Sequence, residues 1–132
     1  MTQPDSAARQ QPLAEALLRR WDRIGIGVRC AYNPKCPCVL RHYLAAGRQV
    51  IAHGLRPAVQ VQQRMLAVLL QTARDAALPW YWRSVCLEYT TLPLARLNSL
   101  LKTEDPIACQ AFECAVQAAH DQLSAARPAE GP

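Results

Sequence analysis

Prolines at positions 12, 37, 57, 79, 93 and 106 punctuate the chain, and between them apolar residues recur every three or four positions. Proline has no N–H to donate and fits the first turn of a helix but not its interior, so each of these positions starts or stops a helix. Leu13, Leu17, Trp21 and Ile24 follow Pro12 at helical spacing, and Gly25 and Gly27 are expected to end that helix, with residues 24–30 as a short extended piece. Pro37 opens a helix whose inner face is Leu40, Tyr43, Leu44, Gly47, Val50 and Ile51. Its outer face is Arg41, Ala45, Arg48 and Ala52. The longest amphipathic run starts at Pro57 and carries Val61, Met65, Leu69, Thr72 and Ala76 as its apolar stripe until Pro79 breaks it. Shorter helices are predicted over 80–89 and 93–102, and Asp105-Pro106 is a cap and first-turn pair for the last one. No segment alternates as a strand does. The reading is an all-α, single-domain bundle of five to six helices over residues 12–126, between a flexible lead (1–11) and a flexible tail (127–132).

A chain of 132 residues with 51% apolar residues and five glycines is long enough to bury a core of its own and does not have a disordered composition. It contains no run approaching about 18 consecutive apolar residues, so no spanning helix and no membrane role is expected. The N-terminus lacks a basic segment followed by an apolar one, which argues against a secretory signal and for the cytoplasm. In a reducing compartment the six cysteines read as free thiols or metal ligands.

The formal net charge of +5 is distributed unevenly. Residues 16–74 hold ten basic residues against the single Asp22, a net +9, whereas residues 75–132 sum to −3. Such a span is drawn to a polyanion or to an acidic protein face. Nine of the ten cations are arginine, whose planar fork matches phosphate and carboxylate oxygens. Arg19, Arg20, Arg23, Arg29, Lys35, Arg41 and Arg48 are the expected phosphate contacts.

Three further features bear on chemistry. Cys30, Cys36, Cys38 and His42 follow the pattern C-x5-C-x-C-x3-H, and Cys38 and His42 would stand one turn apart on a helix starting at Pro37. Three thiolates and an imidazole could complete a tetrahedral structural zinc site. The alternative is a proline-braced turn whose small thiols pack beneath it. Trp80, Tyr81 and Trp82 cannot all face inward on one short helix. They are therefore either interface anchors or a plug between the halves of the bundle. No nucleophile elbow, phosphate-cradling glycine loop or H-E-x-x-H occurs, so the chain is expected to act by occupancy and not as an enzyme.

From Tyr81 onward the sequence also has the outline of a helix-turn-helix with its turn at 103–105. Its last helix offers Gln110, Glu113 and Gln117 among alanines and no arginine before Arg127, which leaves phosphate contact to the basic span. The stretch 17–47, with Trp21 on a helix leading into a loop containing Tyr32 and Pro34, resembles the opening of small phage late-gene transcription antitermination proteins. The stretch Trp82–Leu123 is similar in layout to the sigma-region-4-like helices of the same proteins. That resemblance implies DNA near a late promoter and RNA polymerase as partners, with passage through terminators as the outcome. Trp21, Tyr32 and Pro34, the matching positions, read as structural. The other class of function is a protein-interaction module, such as an inhibitor, chaperone or immunity-type protein, docking its basic span on an acidic partner.

Overall fold

The computed structural model describes residues 4–128 and shows six helices and no strand among them. They are α1 (Pro4–Arg29), α2 (Cys38–Ala52), α3 (Ala58–Ala73), α4 (Trp80–Tyr89), α5 (Thr91–Leu101) and α6 (Pro106–Ala125). Residues 1–3 of the expected lead and 129–132 of the expected tail lie outside the described residues.

The first helix departs most from expectation. It starts at Pro4 and takes in Pro12, so residues 4–11 of the expected lead are helical. It also runs through Gly25 and Gly27 to Arg29, where an extended piece was predicted. A glycine inside a helix costs about 1 kcal/mol relative to alanine. Packing across the fold outweighs that cost. A Cβ on Gly25 would stand 2.9 Å from the Tyr43 ring, and Val28, one turn further on, is fully buried. The helix ends in a Schellman motif: Tyr32 N–H donates to Gly27 C=O at 3.0 Å and Ala31 N–H to Val28 C=O at 3.2 Å. Ala31 holds the left-handed position, φ 51°, that glycine usually fills. The end of α2 repeats the motif with a glycine: Gly54 at φ 67° donates to Ile51 C=O, and Leu55 donates to Val50 C=O.

On α2 the predicted faces hold. Leu40, Tyr43, Leu44, Gly47 and Val50 are buried, while Arg41 and Arg48 are exposed. Gly47 permits close helix approach, since a Cβ there would fall 2.5 Å from Met65 Sδ and 3.1 Å from Trp21 Nε1. Helix α3 is the centre of the bundle and packs against all five others. It buries Val61, Met65, Leu69 and Thr72 of its predicted stripe, whereas Ala76 lies beyond its end and is exposed; because α3 is surrounded it also buries Gln62, Leu66 and Ala73. It stops at Ala73, short of the expected Leu78. Asp75 Oδ1 accepts from Ala77 N–H at 3.0 Å in a side-chain turn, and the Ala73 carbonyl is taken by Nε of the buried Arg83 at 2.9 Å.

The helices α4 and α5 part at Thr90, because Pro93 has no N–H for the Tyr89 carbonyl. α5 begins at Thr91, ahead of the expected Pro93. Asp105 caps α6 as predicted, its side chain accepting from Ala108 N–H at 3.1 Å with Pro106 in the first turn. Three apolar clusters result. The largest joins Trp21, Val28, Tyr43, Met65, Leu69 and Trp82. A smaller one ties Ala73 and Leu87 to Ala119 and Leu123 of α6, and another packs Leu66 and Leu97 on Val116.

Candidate nucleic-acid interface

Helices α1 and α2 pack on each other and are joined by the loop 30–37, and this pair carries most of the basic span. Arg19, Arg20 and Arg23 are exposed on α1, Lys35 on the loop, and Arg41 and Arg48 on α2. They are exposed because each helix has spent its other face on the core, Trp21 and Val28 on α1 and Tyr43 and Val50 on α2. Among the described residues, none of these six cations makes an ion pair. Their field is therefore not cancelled at close range and is open to an incoming anion.

Arg29, the seventh expected contact, is a correction. It is half-buried, and its Nη1 donates to Asp75 Oδ2 at 2.7 Å, fastening the end of α1 to the α3–α4 turn. The Arg29 guanidinium, followed by the Ala77 N–H, holds the Asp75 carboxyl below the usual carboxylate range. A carboxyl whose pKa is depressed on folding stabilises the fold above its unfolded value and loses that contribution as pH falls through the folded value. The stability advantage of the native chain over Asp75→Asn is therefore expected to be constant down to about pH 4 and to shrink below it. Urea unfolding of both proteins across a pH series checks this. An advantage unchanged into strong acid would mean that the pair does not form.

The thiol loop does not assemble as a metal centre. Cys30 lies exposed in the turn that ends α1, and His42 is exposed on the outer face of α2 beside Arg41. Among the described residues no three His, Cys, Asp or Glu side chains stand together so as to hold a metal ion. Cys30, Cys36, Cys38 and His42 thus do not gather into the expected tetrahedral zinc site. Cys36 and Cys38 do meet, and the hydrogen bond between their thiols raises the Cys38 pKa. Cys86 is a core residue whose thiol burial pushes up to about 12.

The aromatic triplet divides. Trp82 is fully buried and donates from Nε1 to Val28 C=O at 2.9 Å, so it belongs to the core and not to a partner surface. Trp80 is half-buried, donates from Nε1 to Leu123 C=O at 3.1 Å, and has the Arg127 guanidinium over its ring. Both indoles join α4 to distant helices, which is the plug reading. Tyr81 is 55% exposed and free to meet a partner.

Two cations absent from the expected contacts line a groove with Arg19. Arg64 of α3 lies over the Trp21 ring, 5.6 Å from its centroid, and its Nη2 donates to Asp22 Oδ1 at 3.0 Å. Arg56, in the α2–α3 turn, borders the same groove as Arg19 and Arg64. No helical periodicity links a turn residue to two different helices, so the sequence held no signal for this grouping. No helix among the described residues is long and apolar enough to cross a membrane. No protein-family model matches the chain, and neither does any curated protein or solved structure.

Proposed function

We propose that this chain is a nucleic-acid-binding protein that acts by occupancy, seating backbone phosphates on the exposed cations of the α1–α2 pair. The observation that carries this is the group of six exposed cations, five of them arginine, without an acidic partner among the described residues. Arginine forks bind phosphate oxygens in pairs of charge-assisted hydrogen bonds, and such contacts supply affinity without reading sequence. The antiterminator resemblance supplies the specific form of the proposal: a transcription regulator that holds DNA with α1–α2 and meets RNA polymerase through another surface. Tyr81, exposed on α4, is available for such a contact.

A second reading has an observation of its own. Arg48 and Arg96 flank a mainly apolar groove lined by Ile51, Ala52, Ala58 and Leu100 between α2, α3 and α5. An acidic, partly apolar protein surface would fit there. A labelled DNA duplex challenged with unlabelled duplex or with polyglutamate of equal charge separates the two. The nucleic-acid reading expects the duplex to displace the label and polyglutamate to leave it bound. Equal displacement by both would move the function to an acidic protein partner.

A further inference from the structure

The open groove between the second half of α1, the α2–α3 turn and α3 is lined by Leu18, Arg19, Trp21, Asp22, Arg56 and Arg64 and offers about 290 Å³. That is the small end of ligand clefts, suited to one small group and not to a whole drug-sized molecule. Its guanidiniums come from three separate segments of the chain. Trp21 forms a wall and is itself fixed in the core at 6% exposure. Arg64 is held between the Trp21 ring and the Asp22 carboxylate, which orients its guanidinium before any ligand arrives. Arg56 spends one N–H on Leu55 C=O at 2.8 Å and keeps the rest of its fork. Three positive charges against one negative leave a local balance of +2. A phosphomonoester carries about −1.5 to −2 near neutral pH, and a phosphodiester bears only a single negative charge, so the former matches the site better.

We infer that this groove is a phosphate-binding site that takes a phosphomonoester-class anion between Arg19, Arg56 and Arg64 over the Trp21 wall, with Asp22 competing for Arg64. The site shares only Arg19 with the phosphate contacts proposed on α1 and α2, and it does not depend on duplex binding. Two sources would present the same chemistry: the terminal phosphate of a nucleic acid and a small phosphorylated molecule.

Isothermal titration of the full chain with inorganic phosphate, at ionic strength held constant with chloride, tests it. One saturable site is expected, and Arg56→Gln and Arg64→Gln should each weaken it by about tenfold or more, the loss of a charge-assisted contact. Arg56 and Arg64 are exposed, so both variants should keep the far-UV circular dichroism of the parent. Asp22→Asn should tighten binding by more than Glu104→Gln, which removes an equal charge from the α5–α6 turn. The absence of a saturable site, wild-type affinity in both arginine variants, or equal effects of Asp22→Asn and Glu104→Gln would each overturn the inference. A 5′-phosphorylated oligonucleotide that competes with phosphate better than its unphosphorylated form assigns the source to nucleic acid. Equal competition by the two forms, with the phosphate site intact, assigns it to a small phosphorylated molecule. Loss of duplex binding with phosphate binding retained would contradict the proposed function and leave this site standing.

Discussion

Trp82→Ala is expected to cost about 3–5 kcal/mol, the range for removing a large buried aromatic side chain. Domains of this kind are stable by about 5–15 kcal/mol, so the substitution removes a large part of the margin. Trp82 is fully buried in the largest apolar cluster, where α1, α2, α3 and α4 meet. Truncation opens a cavity there, and it also leaves the buried Val28 carbonyl without the Nε1 donor that now reaches it from 54 residues away. Trp82→Phe keeps most of the ring volume and is expected to cost less, its loss dominated by that hydrogen bond. Tyr81→Ala is the internal comparison. Its side chain is 55% exposed, and surface substitutions usually stay within about 0.5 kcal/mol. Urea unfolding followed by far-UV circular dichroism orders the three. If Tyr81→Ala proved as costly as Trp82→Ala, the orientation of α4 would be wrong.

The largest expected effect on binding comes from reversing two charges. Arg41→Glu combined with Arg48→Glu should weaken duplex binding on the order of 10²-fold at 0.1 M salt. Each phosphate contact contributes about 0.9 log unit per decade of salt through counterion release, and two contacts are lost. Repulsion from the new carboxylates adds to that loss. Both side chains are exposed on the outer face of α2 and neither is paired, so the helical signal should be unchanged. Arg74→Glu with Lys102→Glu makes the same change in net charge at exposed sites on neither α1 nor α2. That control is expected to bind within a few-fold of wild type. Equal losses in the two double variants would mean that overall charge, and not this face, drives association.

The parts of the fold that local chemistry decides could be read directly from the sequence. The two faces of α2 follow from the spacing of Leu40, Tyr43, Gly47 and Val50 against Arg41 and Arg48. The start of α6 follows from Asp105 and Pro106. What could not be read depends on contacts between distant residues. Gly25 resembles a helix stop until the Tyr43 ring is seen against it, and Ala31 gives no hint that it will take a left-handed conformation. The end of α3 at Ala73 is set in part by Arg83, ten residues on, and Arg29 is drawn into an ion pair by Asp75, 46 residues away. The exposed cations were accessible to sequence reasoning because amphipathic periodicity separates outer from inner positions. The Arg19, Arg56 and Arg64 groove was not, since it exists only once α1, the α2–α3 turn and α3 have packed. The thiol spacing suggested a zinc tetrad, but α1 continues to Arg29 and leaves Cys30 in its terminal turn, and His42 lies on the solvent face.

The most direct test of the central claim is the salt dependence of duplex affinity, measured by fluorescence anisotropy of a labelled duplex over a series of chloride concentrations. With four to six of the exposed α1–α2 cations in contact with phosphates, log K should fall linearly with log salt, with a slope between about −3.5 and −5.5. A slope near zero, or no saturable binding at low salt, would contradict the assignment of this face to nucleic acid.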